Sequence, residues 1–370
     1  MESGYDIIVV GLGCVGLSTA YQCAKNGLKV LALEQHIESG MLGTSSHGLA
    51  RIWRTSHPNK LLNEMMYKSI SLWKELEQEF GEELLVTKSM LNMGPKDHES
   101  IQYILKQMKI DEEIILISLK EKEADSHVMG KEYKVLNSEE IMKNYPAIKN
   151  LPEDYIGIID NCSGWIYSAK IMKLLSEYLT NHESVTVKYN TKVVKATKNS
   201  VTLENGDEYF GENVVLCTGC ETKEYFDKKF QSEKKAVEYY IFNPVEGLPP
   251  TFHEYLPDGG IFYGTFEPDG EKMTYKIGNY YGRKYEIMLE YLAERYPTLK
   301  SKLKYGVPCF FTNTPGYEFQ YKKDASGVHY AYGFSGTGFK FMPLHGEIVY
   351  NGIFGTKDLS KWKERFISKL

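Results

Sequence analysis

The stretch YDIIVVGLGCVGLSTAYQCAKNGLKVLALEQ, residues 5 to 35, constrains the fold of this chain more than any other. Asp6 to Val10 read as a strand buried on both faces. Gly11, Gly13 and Gly16 complete G-x-G-x-x-G, and the following residues continue as a helix that ends at Gly27. A second strand, KVLALE, closes on Glu34. Each glycine has a physical task. The first permits the turn, the second lets backbone approach a pyrophosphate, and the third lets helix and strand pack closely, with the helix N-terminus facing the phosphates. An acidic residue ending the second strand accepts hydrogen bonds from a ribose diol, and it disfavours a 2'-phosphate. Strand, glycines, helix, strand and Glu34 in register therefore predict a dinucleotide site, with NADP disfavoured and NAD and FAD both open.

A chain of 370 residues exceeds one ordinary core and suits two joined domains. With 42% hydrophobic and 25% charged residues it has the composition of a folded globular protein. A net charge of -5 argues against a general nucleic-acid or anionic-membrane binder. No run approaches the length that spans a bilayer, and the N-terminus lacks the basic region of a signal peptide. The 6 cysteines are too few and scattered for a disulfide framework, which favours a reducing compartment. Cys217 and Cys220 have CxxC spacing, but they close the apolar run NVVLCTG and lack a second pair, so they are expected to be structural. No metal site is expected. The final Ser368-Lys369-Leu370 matches a peroxisomal address. It predicts a peroxisomal location and an import receptor in a eukaryote, and the cytoplasm otherwise.

Downstream, TVKYNTKVVKATKNSVTLENGDEYFGENVVLCTG, residues 186 to 219, alternates like a meander with a turn at Asn205-Gly206 before a buried strand. Consecutive βαβ halves of a simple dehydrogenase do not read this way. Three further stretches carry chemistry-bearing residues. GTSSHGLARIWRTSHP, residues 43 to 58, is a Gly/Ser-rich loop with His47, Arg51 and Arg54. IFYG and MTYKIGNYYG, between residues 261 and 282, look like two strands with Lys276 inside an apolar alternation. AYGFSGTGFKFMPLHGEIV, residues 331 to 349, is a glycine loop feeding a helix, with Lys340 near its start.

Together with CFFTNTP at 309 to 315, these motifs resemble the monomeric sarcosine oxidase-type flavoproteins, the group of peroxisomal sarcosine and pipecolate oxidases and N-methyltryptophan oxidase. The resemblance covers nearly the whole chain. It implies an α/β fold, in which a Rossmann-type FAD-binding domain is assembled from separated segments and interleaved with an antiparallel-sheet substrate domain. The expected bounds are 1-80, 140-222 and 320-370 for the FAD domain, and 81-139 with 223-319 for the substrate domain. By this resemblance Cys309 carries FAD covalently, Arg54 and Lys340 clamp a substrate carboxylate, Lys276 activates dioxygen, and Tyr263 borders the substrate. His47 and Arg51 lie by the flavin ring, and Ser46 with Gly336, Gly338 and Lys340 of the glycine loop also bind the cofactor. Gly11, Gly13, Gly16, Glu34, Val193 and Gly219 contact the adenine, ribose and pyrophosphate. The implied activity is oxidation of a secondary or N-methylated amino acid by dioxygen to an imine or aldehyde and hydrogen peroxide, in a monomer.

Three positions depart from the family pattern: Thr337 and Tyr280 stand where histidines are usual, and Phe311 where tyrosine is. The stretch from 228 to 252 is also short. These changes make the expected pocket more aromatic and leave a bulkier amine open. Read without the family, each residue has a plainer competitor. Cys309 beside two phenylalanines suits a core thiol. Arg51 and Arg54, three apart, would be surface neighbours on a helical turn. Lys276 faces away from Tyr275 and Ile277, which suits either solvent or a cavity. A dehydrogenase, an amadoriase-like oxidase or a catalytically silent flavoprotein on the same scaffold are the competing functions.

Overall fold

The computed structural model describes residues 4–109, 133–222, 232–282 and 284–355. The Ser368-Lys369-Leu370 tripeptide and the first part of the 228–252 stretch lie outside them. Two compact units emerge: Met1–Gly48, Ser168–Ala236 and Cys309–Leu370 form the first, and Leu49–Tyr167 with Val237–Pro308 the second.

The first unit is built on a mixed sheet ordered β16-β17-β10-β1-β2-β7. Its strands are β1 (Tyr5–Val10), β2 (Val30–Leu33), β7 (Val185–Lys188), β8 (Val193–Ala196), β9 (Ser200–Leu203), β10 (Glu208–Leu216), β16 (Gln320–Lys323) and β17 (His329–Tyr332). The pairs made by β1 with β10, β1 with β2, β2 with β7 and β10 with β17 are all parallel. Ile7, Ile8 and Val9 are fully buried, as a parallel strand covered on both faces requires. The expected meander is present as β8, β9 and β10 in antiparallel pairing, with Gly206 at φ 92° in the turn.

Helix α1 (Cys14–Lys25) follows β1, α4 (Ser168–Asn181) precedes β7, and α7 (Met342–Phe354) follows the glycine loop. Helices α1 and α7 approach closely at Ser18 and Gly346. Ser18 Oγ donates to the Met342 carbonyl at 2.7 Å, and a Cβ on Gly346 would come within 2.3 Å of Ser18 Oγ.

The second unit holds a sheet ordered β15-β11-β14-β13-β12-β4-β6-β3 with β5 on β6. Its strands are β3 (Arg51–Arg54), β4 (Leu85–Pro95), β5 (Tyr133–Asn137), β6 (Tyr155–Ile166), β11 (Glu233–Phe242), β12 (Thr251–Tyr255), β13 (Ile261–Asp269), β14 (Lys272–Asn279) and β15 (Leu303–Asn313). Helices α2 (Lys60–Phe80), α3 (Ser138–Asn144), α5 (Tyr285–Arg295) and α6 (Pro297–Lys300) complete it. Strand alternation sorts the residues of this sheet into two faces. Phe252, Phe262, Tyr275, Ile277, Tyr240 and Phe242 point to one side and form a core with Met288, Leu292 and Leu299 of α5 and α6. Burying each such side chain contributes roughly 1.5–3 kcal/mol. The opposite face carries the polar residues described below.

The unit bounds differ from those expected. Residues 49–80 and 140–167 fall in the second unit, because β3 and β4 both pair with β6, Arg54 opposite Ser163 and Lys88 opposite the same serine. Residues 309–319 fall in the first. Arg51 and Arg54 also lie on a strand, so the helical-turn reading of their spacing does not hold.

A buried histidine ties the glycine loop to α7. His345 Nε2 donates to the Gly338 carbonyl at 2.9 Å, which leaves Nδ1 to accept from the Tyr321 hydroxyl. Burial pushes its pKa down to about 3. The folded state therefore keeps His345 neutral, so its contribution is present above the unfolded pKa near 6.5 and is lost as pH falls toward the folded value. The stability difference between wild type and His345→Gln, measured by urea unfolding, should shrink by about 2 kcal/mol between pH 7.5 and pH 5. A difference that stays constant over that range would contradict the assignment.

Candidate functional site

The first unit contains a dinucleotide cradle. Gly11 turns the chain at φ 88° between β1 and α1. A Cβ on Gly11 would lie 2.8 Å from the Cys217 carbonyl oxygen, and one on Gly16 only 1.8 Å from that of Gly11. Both positions exclude any side chain. Gly13 is the N-cap of α1 and offers no side-chain cap, so the helix N-terminus presents backbone donors, of which Cys14 N–H donates to Ser46 Oγ at 3.0 Å. Glu34, just past β2, accepts from Leu12 N–H at 2.7 Å and His36 N–H at 3.1 Å, tying the glycine turn to the strand end. Val193 is buried at the start of β8, and Gly219, at φ 57°, follows β10. These residues fit FAD: close backbone, a positive helix end and one carboxylate in register.

The Gly/Ser-rich loop and Cys309 meet within the same unit. Cys309 Sγ lies 3.7 Å from the Thr44 carbonyl oxygen, Ser45 Oγ donates to the Phe310 carbonyl, and His47 Nδ1 lies 3.2 Å from the Gly40 carbonyl. Cys309 lies within β15 at intermediate exposure. The other two cysteines singled out differ: burial pushes both Cys217 and Cys220 up to about 12, which removes thiolate character from the CxxC pair. In the glycine loop, Gly336 adopts φ 70° and Gly338 packs on Phe334, where a Cβ would come within 2.5 Å. Lys340 is buried in the short helical turn Phe339–Phe341 and donates to the Thr337 carbonyl at 2.8 Å.

The polar face of the second unit's sheet gathers Arg54, Asn92, His253, Tyr255, Tyr263 and Lys276. Register explains the gathering: Asn92 of β4 pairs with His253 of β12, His253 with Tyr263 of β13, and Tyr263 with Gly278 of β14. Gly278 is required there, because a Cβ would lie 2.3 Å from the Tyr263 phenol oxygen. Tyr280, just past β14, has its ring 5.7 Å from that of Tyr263. Burial raises the Tyr280 hydroxyl pKa, with Arg54 opposing the shift.

Arg54 is only 6% exposed. Its Nη1 donates to Tyr255 Oη at 2.8 Å and to Asn92 Oδ1 at 3.2 Å, and Asn92 is fixed in turn by donating to Ser56 Oγ at 3.1 Å. Among the described residues no acid pairs with this guanidinium, and no hydrogen bond uses its Nε or Nη2. Lys276 is equally buried but differently paired. Its Nζ lies 2.7 Å from Glu267 Oε2 and 2.5 Å from the Ala50 carbonyl oxygen. Arg51 Nη1 donates to the same carbonyl at 2.9 Å.

Thus the structure brings Arg51, Arg54, Tyr263 and Lys276 into one unit, and Cys309, Lys340 and the nucleotide residues into the other. Asn92, Tyr255 and Glu267 escaped the sequence reading. For Glu267 a signal existed: it shares strand parity with Tyr263.

A family model described as "DAO: FAD dependent oxidoreductase" matches residues 6–351. The human protein named peroxisomal sarcosine oxidase is 26% identical over 94% of this chain and 91% of its own length. N-methyl-L-tryptophan oxidase of Escherichia coli O139:H28 is 25% identical over 93% of this chain and 94% of its own. Among solved structures, NikD, an amino acid oxidase essential for nikkomycin biosynthesis, has the same fold at 21% identity, a TM-score of 0.79 and 97% coverage of both chains.

The cradle makes a direct prediction. Gly16→Ala forces α1 away from the Gly11 carbonyl, so the purified variant should retain less flavin per chain by about tenfold or more, read from its absorbance spectrum. Wild-type loading would contradict the assigned role of that glycine.

Proposed function

Because the chain belongs to the DAO family of FAD dependent oxidoreductases, we propose that it oxidises a secondary or N-methylated amino acid at the carbon next to nitrogen, with dioxygen as acceptor and hydrogen peroxide as by-product. One observation carries the substrate class: a buried arginine beside which the described residues place no carboxylate. A buried charge is costly unless paired, and a guanidinium presents a planar fork suited to a carboxylate. Nη1 is occupied by Tyr255 and Asn92, which lock the plane and leave the Nε and Nη2 donors for an incoming anion. Lys340 is the second cation in this reading, on the family resemblance.

With the carboxylate docked, Tyr263, Tyr280 and His253 wall the remainder of the substrate, an aromatic lining that favours an apolar or bulky group. The cationic surroundings disfavour the ammonium form of the substrate and so favour the neutral, reactive amine. Bound FAD supplies the two-electron acceptor. Residues Gly11, Gly13, Gly16, Glu34, Ser46, His47, Val193, Gly219, Gly336 and Gly338 hold it, and Cys309 anchors it covalently. Lys276 provides fixed positive charge where dioxygen takes up electrons, an electrostatic role that needs no reorganisation. The imine product hydrolyses in water. A peroxide-forming activity suits a peroxisome, the location in the name of the human relative, and the enzyme acts as a monomer.

Two experiments test this reading. Arg54→Ala should weaken substrate binding on the order of 100-fold, measured by anaerobic flavin bleaching, because two charge-assisted hydrogen bonds are lost. Unchanged saturation would exclude the clamp. Acid precipitation should leave the yellow chromophore in the wild-type pellet and in the supernatant for Cys309→Ser. Release from the wild type would exclude the covalent anchor.

A further inference from the structure

We propose that Glu267 is the positioning residue for the Lys276 ammonium, holding that charge against the carbonyl of Ala50; the inference rests on the role given to Lys276 above. The sheet sets up the meeting. Lys276 of β14 pairs directly with Thr265 of β13, so Glu267 stands two residues along on the same face, a diagonal neighbour within reach of a long side chain. Both side chains are almost wholly buried, Lys276 at 4% and Glu267 at 3% exposure.

The surroundings explain why a carboxylate is needed. Two cations, Lys276 and Arg51, donate to the single carbonyl oxygen of Ala50. A neutral acceptor shared by two positive groups does not offset their repulsion. Glu267 Oε2 sits 2.7 Å from Lys276 Nζ and also accepts from the Ala50 N–H at 3.3 Å. The acid therefore grips both the lysine and the backbone residue the lysine touches. From β11 the Tyr239 ring closes the other side, 5.2 Å from Nζ to ring centroid. Among the described residues, Glu267, Arg51 and Tyr239 are charged or titratable groups that face Lys276 or share its carbonyl, and of these three Glu267 is the acid. Ala50 leads directly into β3, the strand that carries Arg51 and Arg54. A flexible lysine stem fixed this way keeps its charge in one place instead of sampling several.

The test is a mutant cycle in the holoenzyme: wild type, Glu267→Gln, Lys276→Met and the double variant. Two quantities are read, the rate at which dioxygen reoxidises the reduced enzyme and the dissociation constant for sulfite, followed in the flavin spectrum. Sulfite is an anion whose binding reports positive charge at the flavin without turnover. Glu267→Gln is expected to lower reoxidation and weaken sulfite binding by about tenfold or more. The double variant should be no worse than Lys276→Met alone, because a residue acting through the lysine has nothing left to act on. Values for Glu267→Gln at or above wild type, alongside a defective Lys276→Met, would overturn the inference. So would losses that multiply in the double variant. Wild-type values for Lys276→Met would instead sink the role of the lysine, and the inference with it. Should Glu267→Gln fail to fold, Glu267→Asp keeps the charge but draws it back from Nζ by one methylene. The same loss is expected there, and wild-type behaviour would again overturn the inference.

Discussion

A guanidinium taken out of water without an acid beside it costs several kcal/mol, and among the described residues Arg54 is held in that condition. The same unit shows what a self-sufficient pair looks like. Arg295 Nε donates to Glu254 Oε1 at 2.9 Å, Tyr291 donates to the other carboxylate oxygen at 2.8 Å, and the Asn150 carbonyl accepts from the guanidinium. Burial raises the Glu254 pKa, with Arg295 pulling against it. That pair sits on the apolar side of the sheet, where α5 and α6 cover it, and its charges are answered from within. Among the described residues Arg54 has neutral partners only, Tyr255 and Asn92. They orient it without cancelling it, which is how a protein keeps a cation ready for an anionic ligand.

The pleat makes this division workable. Every second residue of β12, β13 and β14 enters the aromatic core, and the residues between them face the other way. Phe252, Phe262, Tyr275 and Ile277 hold the strands in place, while His253, Tyr263 and Lys276 take rigid positions from that packing. A one-residue slip in register would exchange the two sets. The core thus serves as the positioning device for the chemistry, and the buried glycines enforce it. Gly264 accommodates Phe252 on the core side, and Gly278 accommodates Tyr263 on the other.

Much of this was legible in the sequence where the governing constraint is local. The turn at Gly11, the close contact at Gly16 and the spacing to Glu34 depend on neighbours within one βαβ unit. The orientation of Lys276 away from Tyr275 and Ile277 followed from strand period alone. What was not legible depends on pairing between distant strands. Asn92 and Tyr255 reach Arg54 only because β4 and β12 run parallel and adjacent, which no local pattern announces. The helical-turn reading of Arg51 and Arg54 gave way because β3 finds a partner in β6, and the same pairing moved the expected unit bounds. Glu267 had the right parity, but its diagonal meeting with Lys276 needed the register of the hairpin.

The central claim is that a carboxylate-bearing secondary amine gives up two electrons here and that dioxygen receives them. The most direct measurement follows oxygen consumption and peroxide release together, with sarcosine, pipecolate, proline and bulkier N-methyl amino acids supplied in turn. The account predicts that at least one of these drives oxygen uptake matched mole for mole by peroxide, with the bulkier substrates favoured over sarcosine. Reduction of an artificial dye with no oxygen uptake, or no response to any carboxylate-bearing amine, would contradict it.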